Sequence, residues 1–133
     1  MKYFDFDESF NIGEPIIDSH HRRLFEIFDN LLDSLGKGKG KWIIKEILEE
    51  LSDYSEYHFS EEEKFMKSLN YPYLENHIKQ HNKFRKEVKS LLKRYDSKDF
   101  MVTSETADFL FTWIKHHIIR SDRKIADFIK KIR

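Results

Sequence analysis

Apolar side chains recur at three- and four-residue steps along four segments of this chain, and short stretches rich in Gly, Pro, Ser or Asp separate them. That spacing gives each segment one apolar stripe along a helix, and each stripe needs a partner. The first helix is expected over about residues 19–36, capped by Asp18, with His21, Leu24, Phe25, Phe28, Leu31, Leu32 and Leu35 on its stripe. Gly36, Gly38 and Gly40 end it. The second, about 41–69, carries Ile44, Ile47, Leu48, Leu51, Tyr54, His58, Glu62, Phe65 and Leu69 before Asn70 and Pro72 interrupt it. The third, about 73–95, carries Leu74, His77, His81, Phe84, Val88, Leu91 and Tyr95, and Asp96, Ser97 and Asp99 form the next loop. The fourth begins near Ser104 and carries Phe109, Leu110, Trp113, Ile114, His117 and Ile118; a last stretch has Ile125, Phe128, Ile129 and Ile132. Long amphipathic helices joined by short loops lie antiparallel to their neighbours. The expected fold is therefore all-α, an up-down-up-down four-helix bundle with an irregular N-terminal arm over 1–17 and a short C-terminal helix. At 133 residues, one domain over 1–133 is expected.

Such a bundle needs an efficient core, because only 39% of the residues are hydrophobic while 36% are charged. Twelve Phe, six Tyr and two Trp supply it. The 24 basic and 24 acidic side chains balance, which argues against a nucleic-acid partner. The longest apolar run, over 109–114, is far short of the roughly 20 residues that span a bilayer. The acidic, aromatic start does not read as a secretory signal. No membrane association is expected, and the cytoplasm is the expected compartment. With no cysteine in the chain, disulfides and thiolate metal sites are excluded.

The histidines run against the pattern, since five of the seven fall on stripes that should be apolar. His58 and Glu62 are four residues apart and project from one side of the second helix, about 40° apart. His77 and His81 repeat that geometry on the third. His21 leads the first stripe, and His117 lies on the fourth with Asp122 five residues later. A lone histidine here would be an ordinary core residue bonded to a backbone carbonyl. Five imidazoles and two carboxylates are different, because each uncompensated buried polar group costs about 1–3 kcal/mol. The antiparallel topology also brings all four sets to the same end of the bundle.

A bound metal supplies the compensation. Seven ligands exceed the needs of one four-coordinate zinc but suit two six-coordinate ions. Mixed imidazole and carboxylate favours iron or manganese over magnesium or calcium. If both carboxylates bridge, the imidazoles divide three and two. With a bridging solvent oxygen one ion then has six ligands and the other five, leaving a position for a small ligand. His117 and Asp122 would sit about 140° apart on a regular helix. A widened turn or helix break is therefore expected near 119–121.

Taken in order, these residues resemble the hemerythrin family, specifically its single-domain bacteriohemerythrin branch. The stretches that carry the likeness are Ile-Gly-Glu-Pro-Ile-Ile-Asp-Ser-His-His at 12–21, His-Phe-Ser-Glu-Glu-Glu-Lys-Phe-Met at 58–66, Tyr-Pro at 71–72, His-Ile-Lys-Gln-His at 77–81 and Trp-Ile-Lys-His-His-Ile-Ile-Arg-Ser-Asp at 113–122. The resemblance implies two iron ions with a bridging oxo or hydroxo group. His77, His81 and His117 would hold one, His21 and His58 the other, with Glu62 and Asp122 bridging. It implies reversible O2 binding at the two-histidine iron, for carriage, storage, delivery or sensing, and a pocket lined by Phe59, Trp113, Ile114 and Ile118. Other small ligands such as NO or azide would bind at the same position; a protein partner is not indicated. The chain departs from the family at His20, where Gln is frequent, at Phe6, where Trp is expected, and at Ile114, where Leu is frequent. His20 and His116 each precede an expected ligand by one residue, about 100° round the helix, and are read as non-ligands.

The expected function is thus O2 binding and not catalysis. The alternative is a di-iron redox enzyme, an oxidase, a peroxidase-like or a nitric-oxide-reducing protein using the same centre. Ferritin-like di-iron enzymes use Glu-x-x-His pairs, and none of the seven histidines here has Glu three positions before it.

Overall fold

The computed structural model describes residues 11–98 and 101–132, with the backbone alone at 40–42. In chain order it comprises α1 (Pro15–Gly36), α2 (Gly40–Ser68), α3 (Leu74–Asp96), α4 (Val102–Trp113), a π-helical segment (Ile114–Ser121) and α5 (Asp122–Ile132). α1 and α3 each pack against both α2 and α4, which closes the four helices into a bundle. Among the described residues no element is a strand, and no helix is long and apolar enough to cross a membrane. Phe6 and Asp99 lie outside the described residues.

The helix ends depart from the sequence reading in instructive ways. α1 starts four residues early: Pro15 occupies its first turn and the Glu14 carboxylate caps it, accepting the Ile17 N–H at 2.9 Å. Asp18 is not the cap. It lies inside the first turn, where its carboxylate accepts the N–H groups of Ile12 at 2.7 Å and Gly13 at 3.3 Å and ties the preceding arm to the helix. Gly40 opens α2 and does not end α1. α2 closes as expected near Asn70, whose φ of 53° lets the Tyr71 N–H reach the Met66 carbonyl at 3.0 Å. α4 begins at Val102, two residues before the expected Ser104, whose hydroxyl donates to the Met101 carbonyl from within the first turn.

Along every helix the residues fall in one sequence of environments. The larger apolar cluster takes Leu24, Phe28 and Leu31 from α1, Leu48 and Leu51 from α2, Phe84 and Leu91 from α3, and Leu110 from α4. A smaller cluster takes Ile12, Ile17, Met66, Tyr71, Ile125, Ala126 and Ile129. Between the two, in the order of each chain segment, come His21, His58 and Glu62, His77 and His81, and His117 and Asp122, all buried. Met66 is fully buried where Phe65 was expected, and Ile132 is exposed, so the buried face of α5 is Ile125, Ala126 and Ile129. Each fully buried Leu, Ile or Phe contributes about 1.5–3 kcal/mol, so two apolar layers bracket the polar one.

Candidate metal centre

All seven expected ligands converge. Glu62 lies at the middle of the layer, 0% exposed, and its two oxygens face different partners. Oε1 lies 2.7 Å from His77 Nε2, 3.1 Å from His81 Nε2 and 3.9 Å from His117 Nε2. Oε2 lies 3.0 Å from His58 Nε2 and 3.4 Å from His21 Nε2. Asp122 divides in the same sense: Oδ1 is 2.8 Å from His77 Nε2 and 3.3 Å from His117 Nε2, while Oδ2 is 3.0 Å from His21 Nε2. Among the described residues, the donor atoms of Glu62, His77, His81 and His117 form one group within 4.8 Å of one another, and those of His21, His58 and Glu62 form a second.

Asp122 reaches this layer because the helix widens before it. In the π segment the Asp122 N–H donates to the His117 carbonyl, a five-residue step in place of four. That extra residue brings two side chains five apart onto one face. The widening expected near 119–121 is present and extends over all of Ile114–Ser121.

Several of these atoms stand at hydrogen-bond distance without hydrogen-bond geometry. Among the described residues, His21 Nε2, His117 Nε2, Glu62 Oε2 and both Asp122 oxygens are buried and have no hydrogen-bond partner, although imidazole nitrogens and carboxylate oxygens lie close to one another. They crowd together all the same, in groups whose donor atoms lie within 4.8 Å of one another. That is the arrangement of metal donors, and imidazole with carboxylate is a donor set suited to a first-row transition metal.

Charge in the layer follows from burial and proximity. Burial alone would lower the His21 and His77 pKa values, but the Asp122 and Glu62 carboxylates beside them outweigh it and push both up to about 10. Burial lowers His58 to about 4, against the pull of Glu62. Burial would raise both carboxylates, yet the surrounding imidazoles hold Glu62 and Asp122 well below the usual carboxylate range. Without metal, then, the carboxylates favour the protonated forms of His21, His77 and His81.

On the far side of the rings, three imidazoles have partners. His81 Nδ1 donates to Glu63 Oε2 at 2.7 Å and His117 Nδ1 donates to Gln80 Oε1 at 2.6 Å. His58 Nδ1 lies 2.9 Å from His20 Nδ1. Holding the outer nitrogen of a ligand imidazole fixes the ring and leaves Nε2 for the metal. The sequence pattern did not single out Glu63 or Gln80, and it assigned His20 only as a non-ligand. Their one signal is adjacency to an expected ligand. His116, also read as a non-ligand, is exposed and lies with Gln80, Trp113 and His117 on the wall of a surface cavity of about 520 Å³.

Phe59, Trp113, Ile114 and Ile118 are all buried in the larger apolar cluster. Phe59 stacks on His81 with ring centres 3.9 Å apart and also meets His58 at 5.6 Å; Trp113 stacks on His117 at 3.9 Å. Tyr54, which the stripe placed in the core, stacks on His58 at 4.8 Å, and its buried hydroxyl has no hydrogen-bond partner among the described residues.

The family described as Hemerythrin HHE cation binding domain matches residues 13–129. A bacteriohemerythrin of Clostridium acetobutylicum is 37% identical over 131 residues, covering 93% of this chain and 99% of the relative. A bacteriohemerythrin of Pseudomonas paraeruginosa is 31% identical over 130 residues, 98% of this chain and 84% of the relative. One from Campylobacter jejuni is 28% identical over 126 residues, 91% of each.

Proposed function

Because the chain belongs to the hemerythrin HHE cation-binding family, we propose that it is a non-haem di-iron protein that binds O2 reversibly, as a carrier, store, delivery protein or sensor. The observation that carries this reading is the division of both carboxylates, since Glu62 and Asp122 each turn one oxygen to the His77 and His117 side and the other to the His21 side. His77, His81 and His117 are the proposed ligands of one iron and His21 and His58 those of the other, with Glu62 and Asp122 bridging. When bound, the iron pair supplies the electrons that hold O2.

The chain's own residues do the rest. Glu63 and Gln80 orient His81 and His117 through their outer nitrogens. Phe59 and Trp113 fix the faces of those rings, and together with Ile114 and Ile118 they form the proposed apolar pocket that keeps water and protons from the ligand. Near neutrality His21 and His77 must give up their protons before Nε2 of each can bind metal.

Metal analysis joined to optical spectra of the reduced protein, before and after air, tests the reading. Two irons per chain and a visible band that appears with oxygen and disappears on its removal are expected. Irreversible oxidation with turnover would instead mark a di-iron enzyme, and zinc or no stoichiometric metal would overturn both.

A further inference from the structure

His20 is one residue before His21 on α1 and half-buried, and its imidazole crosses the His58 ring edge-on with centres 5.0 Å apart. The two Nδ1 atoms are 2.9 Å apart. At that distance a single hydrogen lies between them, since two bare nitrogens repel and two N–H groups collide. Which ring owns it is decided on the other side of His58. Its Nε2 faces Glu62 Oε2 at 3.0 Å, within the group formed with His21. An Nε2 committed to a metal has no hydrogen, so the hydrogen of a neutral His58 is on Nδ1. His20 Nδ1 must then accept it, and the His20 hydrogen sits on its own Nε2.

We propose that His20 is a positioning residue for the centre, accepting the Nδ1–H of His58 so that His58 presents Nε2 to the metal. The inference rests on the assignment of His58 as a ligand made above. The other two supported rings follow the same rule with groups that can only accept there, the Glu63 carboxylate and the Gln80 amide oxygen. His20 differs because an imidazole can accept or donate. An edge-on contact with Tyr57 at 5.0 Å adds to the one with His58 in holding the His20 ring against α2.

Three variants of the full chain separate the role from mere packing. His20→Leu keeps bulk but removes the acceptor. His20→Asn restores an acceptor oxygen at the position of Nδ1. His116→Leu removes an exposed histidine that also precedes a ligand by one residue. Iron release to a competing chelator is expected to run about 10–100-fold faster in His20→Leu and to return to within about threefold of wild type in His20→Asn, with His116→Leu unchanged. Thermal unfolding of the metal-free proteins checks that each variant folds. In 15N-labelled metal-free and zinc-loaded protein, a coupling across the hydrogen bond between the Nδ1 atoms of His20 and His58 reports the shared hydrogen directly, and in the zinc-loaded protein that hydrogen should sit on His58.

A wild-type chain without that coupling, a His20→Leu variant that releases iron at the wild-type rate, or a His20→Asn variant as poor as His20→Leu overturns the role of His20 alone. A wild-type chain that takes up no iron overturns the di-iron reading, and the role with it, even if the coupling is present.

Discussion

The two sides of the polar layer are built to different standards. On the Glu62 Oε1 side, His81 and His117 are each held by an acceptor on the outer nitrogen and by an aromatic ring stacked at 3.9 Å. On the Oε2 side, His58 has the His20 imidazole behind it and Tyr54 on its face at 4.8 Å, and His21 Nδ1 is buried without a partner among the described residues. Fixing a ring before the metal arrives removes an entropy cost from binding and raises ligand basicity. The three-histidine side is therefore the anchor. The two-histidine side is less constrained, which suits the ion proposed to accept and release an external ligand.

Glu62, like Asp122, faces both sides, and its removal is the severest test of the asymmetry. Glu62→Ala is expected to abolish binding of both ions, read as metal content after loading; retention of the pair would mean that Asp122 alone joins the two sides. A finer test sets one side against the other. His77→Ala should lose iron and the oxygen-dependent band together, whereas His58→Ala should lose the band but keep one ion on the anchor side. Equal metal loss in the two variants would remove the asymmetry.

Acidity comes next in size. His21 and His77 are raised from about 6.5 in the unfolded chain to about 10 in the folded metal-free chain. Protonation of these two groups therefore favours the metal-free fold fully below pH of about 6.5, and that contribution is lost as pH rises through about 10. The metal has the opposite preference. Below pH of about 10, affinity should fall by up to about tenfold per pH unit for each proton displaced. Proton release on loading, measured in weak buffer near neutrality, checks both signs, and loading without release would contradict them. The smallest expected effect belongs to the apolar wall. Ile114→Val removes one buried methylene and should destabilise by about 0.5–1.5 kcal/mol in denaturant unfolding, with iron content unchanged.

How much of this was legible in the sequence depends on how local its cause is. The stripes of α2 and α3 were readable because helix period alone decides which of their residues turn inward. The widened turn was readable for the same reason, since two ligands five residues apart cannot share a face of a regular helix. Asp18 misled because a carboxylate before an apolar run looks like a cap, while its actual work, holding the Ile12 and Gly13 N–H groups, depends on how the arm folds back. Glu63, Gln80 and His20 sit beside the stripes, where periodicity assigns residues to solvent; only the approach of a neighbouring helix turns them to the outer nitrogens of the ligand rings. Period determines what is inside, and the packing of helices determines what supports it.

The π segment also has a consequence beyond the placement of Asp122. An extra residue in the turn acts as a phase shift: everything after it is rotated by about 100° relative to an uninterrupted α-helix. Ile125, Ala126 and Ile129 inherit that rotation when they close the smaller cluster. Deleting one residue between 118 and 121 would put the two halves of the last helix back in step, and would swing both a carboxylate and an apolar face away from their partners at once. The metal layer and the end of the bundle are thereby set to the same phase, and a chain that lost one would lose the other.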